Sequence, residues 1–181
     1  MLTSGISFKN FKFNKKNLKV KKKLLFILNS KNHILSSLRR NYKDSYSKKN
    51  IKKYKSFKNY RIFGMGGSIL GTQAIYEFLK NKINKDFVFI DNLQAKKNKN
   101  PKKKILNLVV SKSGNTIETI VNSSILIGKN DKNIFVTENK NNYLNVLAQK
   151  LKSEVVHHND YIGGRYSVLS EVGMLPAELM D

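Results

Sequence analysis

From Tyr60 onward, short apolar runs alternate with longer stretches whose apolar residues recur every three or four positions. The short runs are Arg61-Ile62-Phe63, Phe87-Val88-Phe89-Ile90, Ile105 to Val110, Asn133-Ile134-Phe135-Val136 and Glu154-Val155-Val156. They are brief and nearly unbroken, the pattern of strands covered on both faces. Three helical patterns lie between them. One follows Ser68, with Ile69, Leu70, Ala74, Ile75 and Phe78 on one side. Another runs from Thr116 to Ile127, with Ile117, Ile120, Val121, Ile125 and Leu126 as its apolar residues. The third runs from Tyr143 to Leu151. Alternation of this kind predicts an α/β fold: a three-layer domain built on a five-stranded parallel sheet.

Upstream the pattern differs. Residues 1–59 contain no proline and no glycine after Gly5. Leu24, Leu25, Ile27, Leu28, Ile34, Leu35 and Leu38 recur at helical spacing and predict at least two helices. Tyr42 to Lys58 has room for another, with Tyr46, Ile51, Tyr54 and Phe57 as a partial stripe. The division expected is a basic helical segment at 1–59 and an α/β domain at 60–181. Lys96 to Lys104, interrupted by Pro101, reads as a solvated loop between strands.

Composition narrows the chemistry. The chain of 181 residues has no cysteine, which excludes disulfides and thiolate metal sites. Its three histidines are too few and too scattered for a multi-histidine metal centre, and His157-His158 read as surface or strand-end residues. The run Leu24 to Leu28 is too short for a membrane span or a signal-peptide core, so a cytoplasmic protein is expected. The net charge is +23, and residues 1–60 carry 18 lysines and arginines against the single acid Asp44. Such a segment suits nucleic acid or an anionic membrane. Lys outnumbers Arg 31 to 4, however, and Asn and Ile are abundant. That is the signature of AT-rich codons, and nucleic-acid binders favour Arg for base and phosphate contacts. Codon bias is the preferred account, with nucleic acid not expected as a partner.

Three segments carry chemistry. The apolar run Ile105 to Val110 ends abruptly in Ser111-Lys112-Ser113-Gly114-Asn115-Thr116, and a helix pattern begins at Ile117. Ligands of open α/β sheets bind at the carboxyl ends of strands, and the first helical turn offers unpaired N–H groups. The hydroxyls of Ser111, Ser113 and Thr116, the Lys112 ammonium and flexible Gly114 would complete a phosphate cradle. The same residues also suit a plain strand–turn–helix junction with N-capping hydroxyls. Gly64-Met65-Gly66-Gly67-Ser68 ends the first strand of the domain, where glycines permit close approach of a ligand. It is a poor dinucleotide fingerprint, since Ile69 stands where that motif needs glycine or alanine, and no Walker loop is present. Glu118 lies in the first turn of the following helix, as a helix-dipole acid or facing a ligand. In Tyr161 to Ser170, Gly163-Gly164 set Arg165 beside a helix start with Ser167 as a possible cap; an arginine there can stabilise negative charge on oxygen, though taken in isolation the segment reads first as an ordinary turn with an exposed arginine.

Taken together, GMGGSILG (64–71), SKSGNTIET (111–119) and YIGGRYSVLSEVGMLPAEL (161–179) resemble the glucose-6-phosphate isomerase family. The arginine segment is the most specific of the three. The likeness covers residues 60–180. It implies a sugar isomerase (SIS) domain of flavodoxin-like type and interconversion of glucose 6-phosphate and fructose 6-phosphate with no metal or redox cofactor. Ser111, Lys112, Ser113 and Thr116 would hold the phosphate. Gly67 and Ser68 would line the sugar, Glu118 would belong to the pocket, and Arg165 would stabilise the cis-enediol(ate). The resemblance also implies that the base glutamate, a histidine and a lysine lie beyond Arg165, in a second domain and a C-terminal helix. No residue here matches them. The chain is therefore expected to be the N-terminal part of a homodimeric isomerase, inactive alone and exposing apolar surface that a second domain would cover. Asn115 and Ile117 depart from the usual loop. A stand-alone sugar-phosphate-sensing domain is the alternative, which the arginine segment argues against.

Overall fold

β3 (Ile105–Val110), the most apolar segment of the chain, lies at the centre of a parallel sheet of order β2-β1-β3-β4-β5. Its partners are β1 (Asn59–Phe63), β2 (Asp86–Ile90), β4 (Lys132–Thr137) and β5 (Glu154–His157). The computed structural model describes residues 17–30, 32–39, 41–93 and 104–181. The lysine-rich loop expected from Lys96 onward falls almost entirely outside them, as does the start of the basic segment. All five expected strands are present, and β3 has the expected bounds.

Successive residues of β3 point to opposite faces. Leu106, Leu108 and Val110 join the larger core, beneath α3 (Lys48–Lys52), α4 (Leu70–Leu79) and α7 (Glu171–Met180). Val109 joins Phe63, Ile90 and Phe135 in the smaller core, beneath α5 (Ile117–Leu126) and α6 (Tyr143–Lys150). The connection β1–α4–β2 runs one way along the sheet and β3–α5–β4 the other. Connections of the same hand must then cover opposite faces, which gives three layers.

Part of the basic segment joins the core. Ile51 is fully buried, and Tyr46, Tyr54 and Phe57 pack against the same cluster. Tyr54 donates to Glu154 Oε2 at 3.0 Å, tying the segment to β5. Upstream lie α1 (Leu18–Asn29) and the short α2 (His33–Ser36). The Asn17 side chain caps α1, which has no buried residue. Among the described residues no helix is long and apolar enough to cross a membrane.

Two helix faces differ from expectation. On α4 it is Thr72 and Tyr76 that are buried, while Leu70 and Phe78 face solvent, Phe78 with 88% of its surface exposed. On α5 the buried residues are Thr119, Asn122, Ser123 and Leu126, while Ile117, Val121 and Ile125 form an outward stripe. The physical reason is local bonding. The Ser123 hydroxyl donates to Ile120 O, and Asn122 Nδ2 donates to Asn92 O beyond β2, so these small side chains are satisfied against the sheet. Hydropathy alone assigns such residues to the wrong side.

The two assignments are testable by urea denaturation. Leu108→Ala, in the centre of the sheet, is expected to cost about 2–5 kcal/mol. Phe78→Ala is expected to change stability by no more than about 0.5 kcal/mol.

Candidate functional site

The carboxyl ends of β1 and β3 are neighbours, with Phe63 paired to Val109, yet their chains leave toward opposite faces of the sheet. That divergence opens a crevice lined by the loop 64–68 and the loop 111–116. In the second loop, Ser111 Oγ and Thr116 Oγ1 lie 2.9 Å apart, and Ser111 Oγ also accepts from Gly114 N. Gly114 has φ +68°, and a Cβ there would come within 2.2 Å of Asn142. Ser113 Oγ accepts from Asn115 N, and Asn115 Oδ1 accepts from Tyr143 N at the start of α6. Thr116 is the N-cap residue of α5, but its hydroxyl turns to Ser111, so no side chain caps the helix. The first-turn N–H groups are left for an incoming anion. Glu118, half-buried, lies in that first turn.

The Lys112 ammonium is turned away from the Ser111 and Thr116 hydroxyls to other partners. It sits 3.3 Å from Glu138 Oε1 at the end of β4 and donates to Asp160 O. Glu138 is buried and also pairs with Lys140 at 2.9 Å. Burial pushes its carboxyl up, but the two lysines outweigh that and hold it below the usual range. A carboxylate two residues from Lys140 drew no attention in the sequence, because its partner Lys112 is remote along the chain.

The arginine segment reaches this crevice from the far edge of the sheet. After β5, His158 N donates to Thr137 O, Asp160 O accepts from Lys112, and Ser167 Oγ donates to Gly67 O at 3.3 Å. The chain thus crosses the carboxyl ends of β4 and β3 and arrives at β1. Gly67 is where it lands: a Cβ there would lie 2.0 Å from Gly164 O. Gly67 therefore serves contact between the two loops as much as access for a ligand. Ser68 lies beside it, half-buried, at the end of a short turn whose Gly66 has φ +54°. Residues Gly164–Leu169 form a single 3-10 helix, with Arg165 exposed. Ser167 lies inside this helix and donates to Gly164 O at 2.7 Å, so it is not a helix cap; Ser170 precedes α7 instead.

His158 is a strand-end residue, as expected, but not a surface one. It follows β5, and only 3% of its surface is exposed. Its Nδ1 lies 2.7 Å from Oε1 of the fully buried Glu171. Burial raises the Glu171 carboxyl, but the contacts with His158 and with backbone N–H groups prevail and hold it below its usual value. Asp44 nearby moves the other way, pushed up by burial and by Glu171.

With this geometry in place, the chain can be set beside known proteins. The family model for phosphoglucose isomerase matches residues 29–180. Glucose-6-phosphate isomerase of Methanocaldococcus jannaschii is 35% identical over 150 residues, which are 75% of this chain and 37% of that protein. The chain thus spans little more than a third of that curated relative. A hypothetical protein of Thermus thermophilus has a similar structure, with TM-score 0.66 at 22% identity over 90% of this chain and 43% of that one. Tagatose-6-phosphate ketose/aldose isomerase of Escherichia coli follows, with TM-score 0.51 at 14% identity over 71% of this chain and 40% of that one. At these identities the two structures bear on the fold.

Two measurements check the site's construction. Gly67→Ala must push back the Gly164 carbonyl and is expected to cost about 1–3 kcal/mol, read from urea midpoints. Glu138 and Glu171 are held low in the folded state, so each contributes stability above the unfolded carboxylate range that is lost as pH falls through its folded value. Asp44 contributes in the opposite sense. The urea midpoint is expected to fall on acidification below about pH 5, with a shallower fall in Glu171→Gln.

Proposed function

The chain belongs to the phosphoglucose isomerase family, and on that premise we propose that it grips a hexose 6-phosphate for interconversion of glucose 6-phosphate and fructose 6-phosphate. The observation that carries this reading is the uncapped N-terminus of α5 at the β1/β3 divergence, ringed by the hydroxyls of Ser111, Ser113 and Thr116. The sugar phosphate is taken by first-turn N–H groups, which no side chain occupies, and by these hydroxyls, with Ser111 and Thr116 exchanging their mutual hydrogen bond for the phosphate. Lys112 serves through the loop it stiffens, since its ammonium is already bonded to Glu138 and Asp160. In this reading Gly67 and Ser68 border the sugar, and Glu118, in the first turn of α5, belongs to the pocket.

Isomerisation between an aldose and a ketose passes through an enediol(ate), so negative charge develops on the oxygens of C1 and C2. Arg165 is the group of this chain suited to that charge. It is permanently cationic, exposed, and carried on a segment that ends against the glycine loop. The proton transfer itself needs a base, and we assign that role to no residue here. Residues 60–181 act in this reading as the first of two sugar isomerase domains, with 1–59 as a basic helical lead. The working protein is a cytoplasmic homodimer.

Calorimetric titration of the 181-residue chain tests the proposal. Fructose 6-phosphate and inorganic phosphate are both expected to bind, and no turnover is expected. Ser111→Ala or Thr116→Ala should weaken both ligands about tenfold, the worth of one hydrogen bond to a charged group. Arg165→Ala should weaken the sugar phosphate and leave inorganic phosphate unchanged. Failure of either ligand to bind the unmodified chain overturns the proposal, and full turnover overturns the assignment of the base.

A further inference from the structure

The segment that carries Arg165 is closed at both ends by one buried pair. His158 stands at its start and Glu171, the first residue of α7, at its end. The two partners of the imidazole settle its protonation. Nε2 lies 3.1 Å from Ile162 O, and a carbonyl oxygen only accepts. Nδ1 lies 2.7 Å from Glu171 Oε1. That same oxygen accepts from Asn159 N at 3.1 Å, and Oε2 accepts from the Tyr42 hydroxyl at 3.0 Å. Asn159 Nδ2 donates in turn to the Tyr42 oxygen at 2.9 Å, leaving the Tyr42 proton for Glu171. A carboxylate that receives an amide, a hydroxyl and a ring nitrogen is an anion with its lone pairs in use. The ring then faces an acceptor at each nitrogen, and both nitrogens must carry protons.

We infer that His158 and Glu171 form a positioning clamp for Arg165, in which a doubly protonated His158 bonds Glu171 and Ile162 O together. Ile162 O immediately precedes Gly163-Gly164-Arg165, so the clamp fixes where that turn begins while Glu171 fixes where it ends. Neither residue touches substrate in this arrangement. The clamp stands on its own geometry, and only its consequence for sugar binding rests on the function proposed above.

A neutral ring can donate from one nitrogen only. Its other nitrogen would then set a lone pair against an acceptor in a site closed to water, which is costly. The charged and titratable groups around the pair come from every element packed on it: Glu171 on α7, Tyr42, Asp44 and Tyr46 from the segment before α3, and Tyr161 within the loop. Loss of the second ring proton would free Ile162 O and loosen the turn. Sequence alone conceals this device, because Tyr42 is remote along the chain and the turn that brings Glu171 back to His158 carries no local signal.

The experiment is long-range proton–nitrogen correlation NMR of the histidine rings in a His33→Gln/His157→Gln double variant, which leaves His158 alone. Both ring nitrogens are expected to show protonated shifts at neutral pH. Amide exchange in residues 162–167, corrected for its intrinsic pH dependence, is expected to accelerate when the ring becomes neutral. Glu171→Gln should raise exchange there about tenfold while β3 amides stay protected. A ring with one bare nitrogen at neutral pH overturns the clamp, as does exchange indifferent to the ring's protonation; neither readout requires the Glu171 variant to fold. In the ligand arm, Glu171→Gln should weaken fructose 6-phosphate and spare inorganic phosphate. Failure of the unmodified chain to bind fructose 6-phosphate counts against the proposed function, while the ring spectrum still decides the clamp.

Discussion

Two parallel strands that lie side by side but send their chains to opposite faces cannot close the space above their carboxyl ends. In this protein those strands are β1 and β3, paired along their length with Phe63 beside Val109. The remaining architecture follows from that constraint. α4 must cover one face and α5 the other, the two cores separate by strand alternation, and the crevice between the loops 64–68 and 111–116 has no side chain to cap α5. An anion is the natural occupant, since unpaired N–H groups and a helix N-terminus already face it.

The crevice is bordered by a third element, the chain that crosses it. The segment after β5 spans from the sheet's edge to β1, touching Thr137, Lys112 and Gly67 on the way. Each contact is polar or backbone to backbone, so its geometry is fixed by direction as well as distance. Lys112 changes meaning in this setting. It bridges Glu138 and Asp160, and so couples the hydroxyl loop to the arginine segment. The buried His158–Glu171 pair closes the base of the same segment, and Tyr42 brings the N-terminal region into that network.

The strands and the three loops were legible in the sequence because they depend on local signals: unbroken apolar runs, glycines at strand ends, hydroxyls before a helix. The helix faces were not. Thr119, Asn122 and Ser123 lie against the sheet because each is small, and Asn122 and Ser123 bond to backbone that no hydropathy pattern records. The long-range pairs were hidden for a related reason. Lys112 meets Glu138 because β3 and β4 lie side by side, while Gly67 with Gly164 and His158 with Glu171 meet only once the segment after β5 has crossed the sheet. His158 looked like a strand-end histidine, and it is one, but the residue that buries it comes from the next helix.

The central claim is that one ligand occupies the crevice between the hydroxyl loop, the glycine loop and the arginine segment. Titrating fructose 6-phosphate into the isotope-labelled chain and following backbone amide shifts tests it most directly. Saturable shifts confined to residues 64–68, 111–119 and 163–167 are expected. Shifts centred on the lysine-rich helix α1, or none at all, would contradict it.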